Sequence, residues 1–228
     1  MNDNELRGGE WRRLLGEFFV PRLGGTPEAW SEANRAVIDA WWPRFVAHLQ
    51  TATDGVGPWL RAEDRGWLLD MCARAGVPPP ADGDVDDLVQ ASHRYVGERC
   101  RSAFPDVGPA LRSLAREGFA LHTASGEDSA QLHSYLRGMG LRDLFGRLYG
   151  PDLVDRWKNG PAYYAAIVAD CGIDPAEAVV VDDSPDALGW AAASGFRAIQ
   201  VDRAGRGSQL DGAHRISSLA ELPMLLGA

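Results

Sequence analysis

Lysine is almost absent from this sequence. All but one of the 23 basic residues are arginine, and the exception is Lys158. A general drift toward arginine would leave one lysine by chance. Alternatively, position 158 requires a compact ammonium group, which the planar guanidinium of arginine cannot replace. Composition alone does not decide between these interpretations, so the surroundings of Lys158 have to.

Other scarce features exclude several classes of protein. The three cysteines lie far apart and predict neither a disulfide framework nor a metal site. No run approaches the roughly 20 apolar residues of a membrane span, and the polar start MNDNELRGGE does not resemble a signal peptide. A net charge of −9 and a pI near 5.0 disfavour nucleic-acid binding. We expect a cytoplasmic protein with neither a nucleic-acid nor a membrane partner.

Residues 1–102 predict a helical domain. Apolar residues from Trp11 to Phe19 recur at helical spacing, and Pro21 is expected to end that helix. Further helices are predicted over 27–49, up to Ala75, and from Val85 onward. Six of the eight tryptophans fall in this part, which indicates either a core of bulky residues or an aromatic substrate pocket. The acids at positions 82, 84, 86 and 87 suit a helix N-terminus better than a calcium loop.

From residue 103 onward the pattern changes to alternating strands and helices. Strands are predicted over 119–122, 147–149, 178–181 and 196–201, and helices over 107–117, 161–171, 185–195 and 217–226. Ser125 is predicted to cap one more helix, with Asp128 as its partner in a capping box. Repeated strand–helix units predict an α/β fold with a doubly wound parallel sheet.

The stretch AVVVDDSPD, residues 178–186, carries the strongest chemical signal. Its apolar run is typical of a buried parallel strand, and Asp182 and Asp183 follow at the carboxyl end, where such sheets bind ligands. Two adjacent carboxylates require a cation or a proton, which predicts a divalent metal site or an acid/base pair. The spacing to Asp186 also matches the DDxxD pattern of terpenoid synthases, but that pattern belongs on a helix.

Two further strand ends are expected at the same edge of the sheet. Thr123 ends the strand FALHT, and Lys158 precedes a helix in WKNGPAYY. A hydroxyl, an ammonium group and two carboxylates at one edge suit a phosphate group and a divalent cation. His122 is interpreted either as a hydrogen-bonded core residue, which is preferred, or as an acid/base group.

These three motifs, in this order and spacing, resemble those of the haloacid dehalogenase-like (HAD-like) hydrolase superfamily. The resemblance covers residues 104–226 and implies a Rossmann-like α/β core over 103–228 with a helical cap domain over 1–102. It implies Lys158 and Thr123 as catalytic residues, and Thr123, Ala124 and Lys158 as the phosphate-binding residues. It implies Mg²⁺ as cofactor, held chiefly by Asp183 with Asp182.

The activity that the resemblance implies is phosphatase-type hydrolysis. The substrate would be a small organic phosphate ester, and the phosphoryl group would pass to an aspartate and then to water. Dehalogenation of a 2-haloacid is the less favoured variant. Two positions depart from the family pattern, since Asn159 replaces a proline and Asp186 lies one residue closer than usual to Asp183.

The family's first motif, a strand ending in Asp-x-Asp that carries the nucleophile, is missing from this sequence. Neither Asp3 nor the pair Asp84 and Asp86 follows an apolar strand. The missing strand is the central one, so we expect a gap of roughly 10 Å in the sheet. We favour a lost strand before Met1 over a replacement from elsewhere. If the sequence is complete, we expect no phosphoaspartyl chemistry, and a catalytically inactive binding or regulatory protein becomes the alternative.

Overall fold

The computed structural model describes residues 1–205 and 212–227. The chain divides into two compact units. The first, the helical unit, comprises residues 1–103 and 130–142. The second, the α/β unit, comprises residues 104–129 and the described part of 143–228. The predicted division into domains 1–102 and 103–228 stays a prediction, and residues 130–142 group with the helical unit.

The helical unit contains helices α1 to α4, which are Asn4–Leu23, Pro27–Leu49, Val56–Ala75 and Val85–Arg99. Helix α6, Ser129–Gly138, contributes most of its length to the same unit. The predicted bounds of α2 are confirmed, and α3 ends at Gly76 in the left-handed conformation that favours glycine. The first helix was predicted too short, because it continues through Pro21 and ends at Gly24.

The start of α1 explains the acid at position 3. The Asp3 side chain accepts hydrogen bonds from the backbone N–H groups of Glu5 and Leu6, which are otherwise unpaired at a helix N-terminus. The backbone N–H of Asp3 donates to the carbonyl oxygen of Ser102, and Asn2 forms a β-bridge with Ala103. Asp3 is therefore a helix cap.

The tryptophans have two different surroundings. Trp30 is fully buried in the core of the helical unit, and the partly buried Trp11 and Trp67 pack against this core. A second group of stacked rings at the end of α2 and the start of α3 joins Trp41, Phe45 and Trp59, and the neighbouring Trp42 is 56% exposed. Core packing, as predicted, accounts for the first group. The second group lies at the surface.

Helices α4 and α6 cross at two glycines. A Cβ at Gly97 would lie 2.6 Å from the Cβ of Ser134, and a Cβ at Gly138 would lie 2.5 Å from the carbonyl oxygen of Glu98. Backbone atoms cannot move aside as a flexible side chain can. The absence of a side chain at Gly138 is therefore what allows the two helices to approach so closely.

We expect Gly138→Ala to lower the free energy of unfolding by about 1–3 kcal/mol, because the new methyl group overpacks the crossing. Gly66→Ala is the matched control, since Gly66 is an exposed position in α3 where an added Cβ would meet no atom within 4 Å. That change should stabilise by up to about 1 kcal/mol through helix propensity. Chemical denaturation of both variants tests this, and equal effects would contradict the packing argument.

His93 lies buried among aromatic rings. Its ring centroid is 5.6 Å from that of Trp11 and 5.1 Å from that of Trp67. Burial disfavours the charged imidazolium and lowers the pKa of His93 to about 4. Since an unfolded histidine has a pKa near 6.5, the unfolded chain binds a proton here at a pH where the folded chain does not.

His93 should therefore make the helical unit less stable as the pH falls from about 6.5 to about 4, by up to roughly 3 kcal/mol. We expect this part of the pH dependence to disappear in His93→Gln, as measured by urea denaturation at several pH values. His133→Gln is the control, because His133 is exposed. If the stability of His93→Gln depended on pH as that of the wild type does, His93 would not be the source of this pH dependence.

The α/β unit contains five short strands. They are β1 Leu121–Ala124, β2 Phe145–Tyr149, β3 Val179–Asp182, β4 Arg197–Val201 and β5 His214–Ile216. Its helices are α5 Val107–Arg116, α7 Pro151–Val154, α8 Pro161–Cys171, α9 Pro185–Ala193 and α10 Leu222–Leu226. A core of residues from β2, β3, α8 and α9 includes Tyr149, Tyr164, Val180 and Leu188. The predicted α/β class with parallel strands is confirmed.

The strands form two separate sheets. One consists of β1 and β2, and the other has the order β3-β4-β5; every pairing is parallel. Among the described residues no strand joins β1 to β3. This is the position at which the missing first motif predicts an interruption.

Two details of the predicted strands were wrong. Strand β1 begins two residues later than predicted, because the backbone N–H of Phe119 donates to Leu114 and completes the end of α5. The strand therefore ends at Ala124, and α6 begins at Ser129 rather than beside Ser125. The short strand β5 was not predicted, and the closing α-helix begins at Leu222 rather than at Ser217, after a 3₁₀ turn over Leu219–Glu221.

Candidate functional site

The ammonium group of Lys158 links the carboxyl ends of β1 and β3. Its Nζ donates to the carbonyl oxygen of Ala124 over 2.8 Å and to Oδ2 of Asp182 over 2.6 Å. Both side chains of the ion pair are only 13% exposed. An ammonium group has three hydrogens, so one N–H is left without a partner among the described residues. The three motif ends predicted to meet are therefore brought together.

Lys158 is held in place by its neighbours in the loop before α8. Trp157 is buried, and Asp155 ends α7 in the left-handed conformation. Pro161 then occupies the first position of α8, where a helix tolerates proline best. A buried tryptophan on one side and a helix start on the other leave the lysine side chain directed at the strand ends.

The two adjacent carboxylates have different surroundings. Asp182 is occupied on both oxygens, since Oδ2 binds Lys158 and Oδ1 accepts the N–H of Ser184 over 2.9 Å. Asp183 is exposed. Asp182 is the last residue of β3, whereas Asp183 follows it outside the strand. Ser184 caps α9, as its Ser-Pro sequence predicts.

These residues do not form a ready-made Mg²⁺ site. The part of the chain that the structure describes contains no group of three or more histidine, cysteine, aspartate or glutamate side chains placed to hold a metal. A Mg²⁺ ion requires a near-octahedral set of oxygen ligands. Asp183 is available as one such ligand, whereas Asp182 is already paired with Lys158.

Thr123 and Ser125 differ in what their hydroxyl groups do. Thr123 is buried in β1, and its hydroxyl donates to the carbonyl oxygen of Tyr149 over 3.2 Å. Ser125 is the first residue after the strand and is half-buried, and its Oγ accepts the N–H of Glu127 over 3.1 Å. The hydroxyl hydrogen of Thr123 is thus occupied, while that of Ser125 has no acceptor among the described residues.

Ser125 was missed as a site residue because β1 was predicted to begin two residues too early. On the observed bounds, Ser125 occupies the position directly after the strand. The signal was present in the sequence, since Gly118 follows α5 and a strand needs a few residues to leave the helix end.

Tyr164 is a second residue that the sequence did not reveal. It is fully buried in α8, and its hydroxyl has no hydrogen-bond partner among the described residues. Burial and then the charge of Asp182 raise the pKa of Tyr164. The phenol is therefore neutral. Its place in KNGPAYY, six residues after Lys158, is the only sequence signal for it.

His122 and Asp186 do not join this group of contacts. His122 is exposed, so its interpretation as a core residue is wrong, and its Nδ1 accepts the N–H of Arg147 over 3.0 Å. Asp186 is exposed in the first turn of α9. The residues DDSPD span the end of a strand and the start of a helix, which excludes the all-helical setting of DDxxD.

Comparison with known proteins identifies the family. The family model described as haloacid dehalogenase-like hydrolase matches residues 14–195. The chain belongs to this family. No helix in the described residues is long and apolar enough to cross a membrane.

Individual relatives include both dehalogenases and phosphatases. (S)-2-haloacid dehalogenase 1 of Pseudomonas sp. (strain CBS-3) is 28% identical over 128 residues, which are 55% of this chain and 56% of that protein. Phosphatase MT3486 of Mycobacterium tuberculosis (strain CDC 1551 / Oshkosh) is 27% identical over 122 residues, 53% and 54% of the two chains. The chain thus spans about half the length of these curated relatives.

Among solved structures, the 2-haloacid dehalogenase from Pseudomonas syringae pv. Tomato DC3000 superposes with a TM-score of 0.64 at 22% identity. The match covers 100% of this chain and 94% of that chain. At this level of identity the likeness shows the fold alone.

We expect Lys158→Met to lower the free energy of unfolding by about 1–3 kcal/mol, because it leaves the mostly buried Asp182 without its counter-ion. The double variant Lys158→Met/Asp182→Asn should recover part of this loss. Arg147→Met is the control, since Arg147 is 51% exposed and its pairing with Asp170 is worth less than about 1 kcal/mol. Chemical denaturation measures all three, and equal losses for Lys158→Met and Arg147→Met would contradict the expectation.

Proposed function

We propose that this chain is a phosphatase-type HAD-like hydrolase acting on a small organic phosphate. The observation that carries the proposal is the ammonium group of Lys158, which binds both strand ends and retains one N–H. A fixed positive charge at the strand end, with a hydroxyl on the next residue along the chain, suits a phosphoryl group, because charge-assisted hydrogen bonds to phosphate oxygens are strong. The lone lysine among 23 basic residues thus has a chemical reason, which supports the functional interpretation of its position.

In this proposal Ser125, rather than Thr123, donates a hydrogen bond to the phosphoryl group. Ala124 lies between them, and its carbonyl oxygen already binds Lys158 at 2.8 Å. Ser125 therefore directly follows Ala124, the residue whose carbonyl oxygen binds Lys158. The hydroxyl of Thr123 instead donates to the carbonyl oxygen of Tyr149.

The proposed chemistry also requires a nucleophile. Transfer of the phosphoryl group to an aspartate, and then to water, needs a carboxylate in line with the phosphorus atom. Asp182 is paired with Lys158, and Asp183 is exposed. The proposal therefore requires a carboxylate other than these two as the nucleophile, in keeping with the missing first motif. The second hypothesis is a binding or regulatory protein that retains the anion site without that carboxylate.

Dehalogenation of a 2-haloacid is the alternative reaction, and the similarity to (S)-2-haloacid dehalogenase 1 of Pseudomonas sp. (strain CBS-3) supports it. Displacement of a halide by a carboxylate needs a counter-charge for the substrate carboxylate but no metal ligand set. The remaining N–H of Lys158 would serve either substrate.

Binding of inorganic phosphate tests the anion site without requiring turnover. We expect Ser125→Ala and Lys158→Met each to weaken phosphate binding by about tenfold or more, because each removes a hydrogen bond involving a charge, worth about 1.5–3 kcal/mol. Thr123→Val should bind as tightly as the wild type. Ser31→Ala, on α2, is the control. Isothermal titration calorimetry measures the four variants, and loss of binding in Thr123→Val alone would reverse the assignment of the hydroxyl.

Turnover distinguishes the three functions. The chain is assayed with p-nitrophenyl phosphate and with 2-chloropropionate, each with and without Mg²⁺. Release of p-nitrophenol that Lys158→Met abolishes supports the phosphatase, and chloride release supports the dehalogenase. Phosphate binding without either reaction supports the non-catalytic protein, and failure to bind phosphate would overturn the phosphatase proposal.

A further inference from the structure

The loop that carries Ser125 is held by the segment that follows β2. The carbonyl oxygen of Tyr149 accepts the N–H of Ser125 over 3.0 Å and the hydroxyl of Thr123 over 3.2 Å. The hydroxyl of Tyr163 lies 3.0 Å from the same oxygen and 2.9 Å from the carbonyl oxygen of Ser125. One backbone carbonyl thus fixes both the end of β1 and the start of the loop.

The next residue, Gly150, lies against the middle of the loop. A Cβ on Gly150 would stand 2.3 Å from the carbonyl oxygen of Glu127 and 2.9 Å from the backbone nitrogen of Ser129. Real Cβ atoms do not approach backbone atoms so closely. The loop and the segment after β2 are therefore packed backbone to backbone.

Asp152 completes the contact at the far end of the loop. Its Oδ1 accepts the backbone N–H of Ser129 over 2.8 Å, and its Oδ2 accepts the Ser129 hydroxyl. The N–H of Ser129 is one of the four that a helix leaves unpaired at its start, and a carboxylate there is also favoured by the helix dipole. Asp152 thereby sets where the loop ends and α6 begins.

We propose that Asp152 is a positioning residue for the anion site: by binding Ser129 it holds the loop 125–129 so that the Ser125 hydroxyl stands beside Lys158. This inference rests on the proposed function of Ser125. The acid does not touch the substrate. Its contribution is to reduce the number of conformations available to a five-residue loop whose other end is already fixed at Tyr149.

Three residues of the segment YGPDLV, residues 149–154, therefore hold the loop in place. The carbonyl of Tyr149 fixes the start of the loop, the missing side chain of Gly150 admits it, and the carboxylate of Asp152 fixes its end. Pro151, at the first position of α7, keeps the spacing between them constant. From the sequence alone, Tyr149 was predicted to end a strand, and residues 150–154 were given no role.

Two variants of Asp152 test the inference. Asp152→Ala removes both acceptors, whereas Asp152→Asn keeps an oxygen for the N–H of Ser129 and should preserve most of the contact. Asp174→Ala is the matched control, because Asp174 also accepts a backbone N–H at a helix start, that of Ala176 over 2.9 Å, far along the chain from the loop. Each variant is measured by amide hydrogen exchange without ligand, by thermal unfolding and by titration with inorganic phosphate.

We expect Asp152→Ala to speed amide exchange in residues 125–129 by at least about tenfold, because two hydrogen bonds to a carboxylate are lost and a tenfold change corresponds to only roughly 1.4 kcal/mol. Phosphate binding should weaken by a similar factor, with Asp152→Asn close to the wild type and Asp174→Ala unchanged in both. Faster exchange throughout the α/β unit with a lower melting temperature would overturn the inference in favour of a general structural role. Unchanged exchange in the loop would also overturn it.

Hydrogen exchange without ligand and phosphate titration separate this inference from the proposed function on which it rests. If the wild type does not bind phosphate, the proposed function fails, and the hydrogen-exchange result still decides whether Asp152 holds the loop. If the loop loosens in Asp152→Ala while phosphate binds as in the wild type, the anion site stands and the positioning role of Asp152 is refuted.

Discussion

The ion pair between Lys158 and Asp182 is the contact on which the α/β unit depends at its functional edge. Two parallel sheets without a shared strand have no backbone hydrogen bonds to hold their ends in register. Lys158 supplies that link with a single side chain, since it binds the Ala124 carbonyl of one sheet and the Asp182 carboxylate of the other. A charge that is only 13% exposed keeps much of its strength, because little water competes for it.

Much of this arrangement could be predicted from the sequence. The helix periods, the Ser184-Pro185 start and the Gly76 stop are local signals, and they predicted correct bounds for α2, α8 and the start of α9. The convergence of positions 123–124, 158 and 182 also followed, because parallel strands place their carboxyl ends at one edge. The positions at which the short strands begin and end were not predicted correctly. Short strands such as Leu121–Ala124 carry too few apolar positions to fix their own ends, so the neighbouring helix end decided where β1 begins.

The surroundings of Asp182 and Tyr164 could not be predicted from the sequence for a different reason. Each depends on which group is the partner: an ammonium group for Asp182 and, within the described residues, none for the Tyr164 hydroxyl. A pair of adjacent acids indicates a metal only as long as both are free. Here Asp182 is paired with Lys158, so the two adjacent acids form one ion pair and one separate, exposed carboxylate.

The scarcity of lysine has a practical consequence for chemistry performed on the protein. Apart from the terminal amine, Lys158 is the only primary amine in the chain, so an amine-directed reagent can modify the protein at one side chain alone. A lysine-specific protease likewise has a single place to cut. Because that side chain is paired and mostly buried, its acylation rate becomes a direct measure of how often the contact with Asp182 opens. The protein thus carries a built-in reporter on its own site.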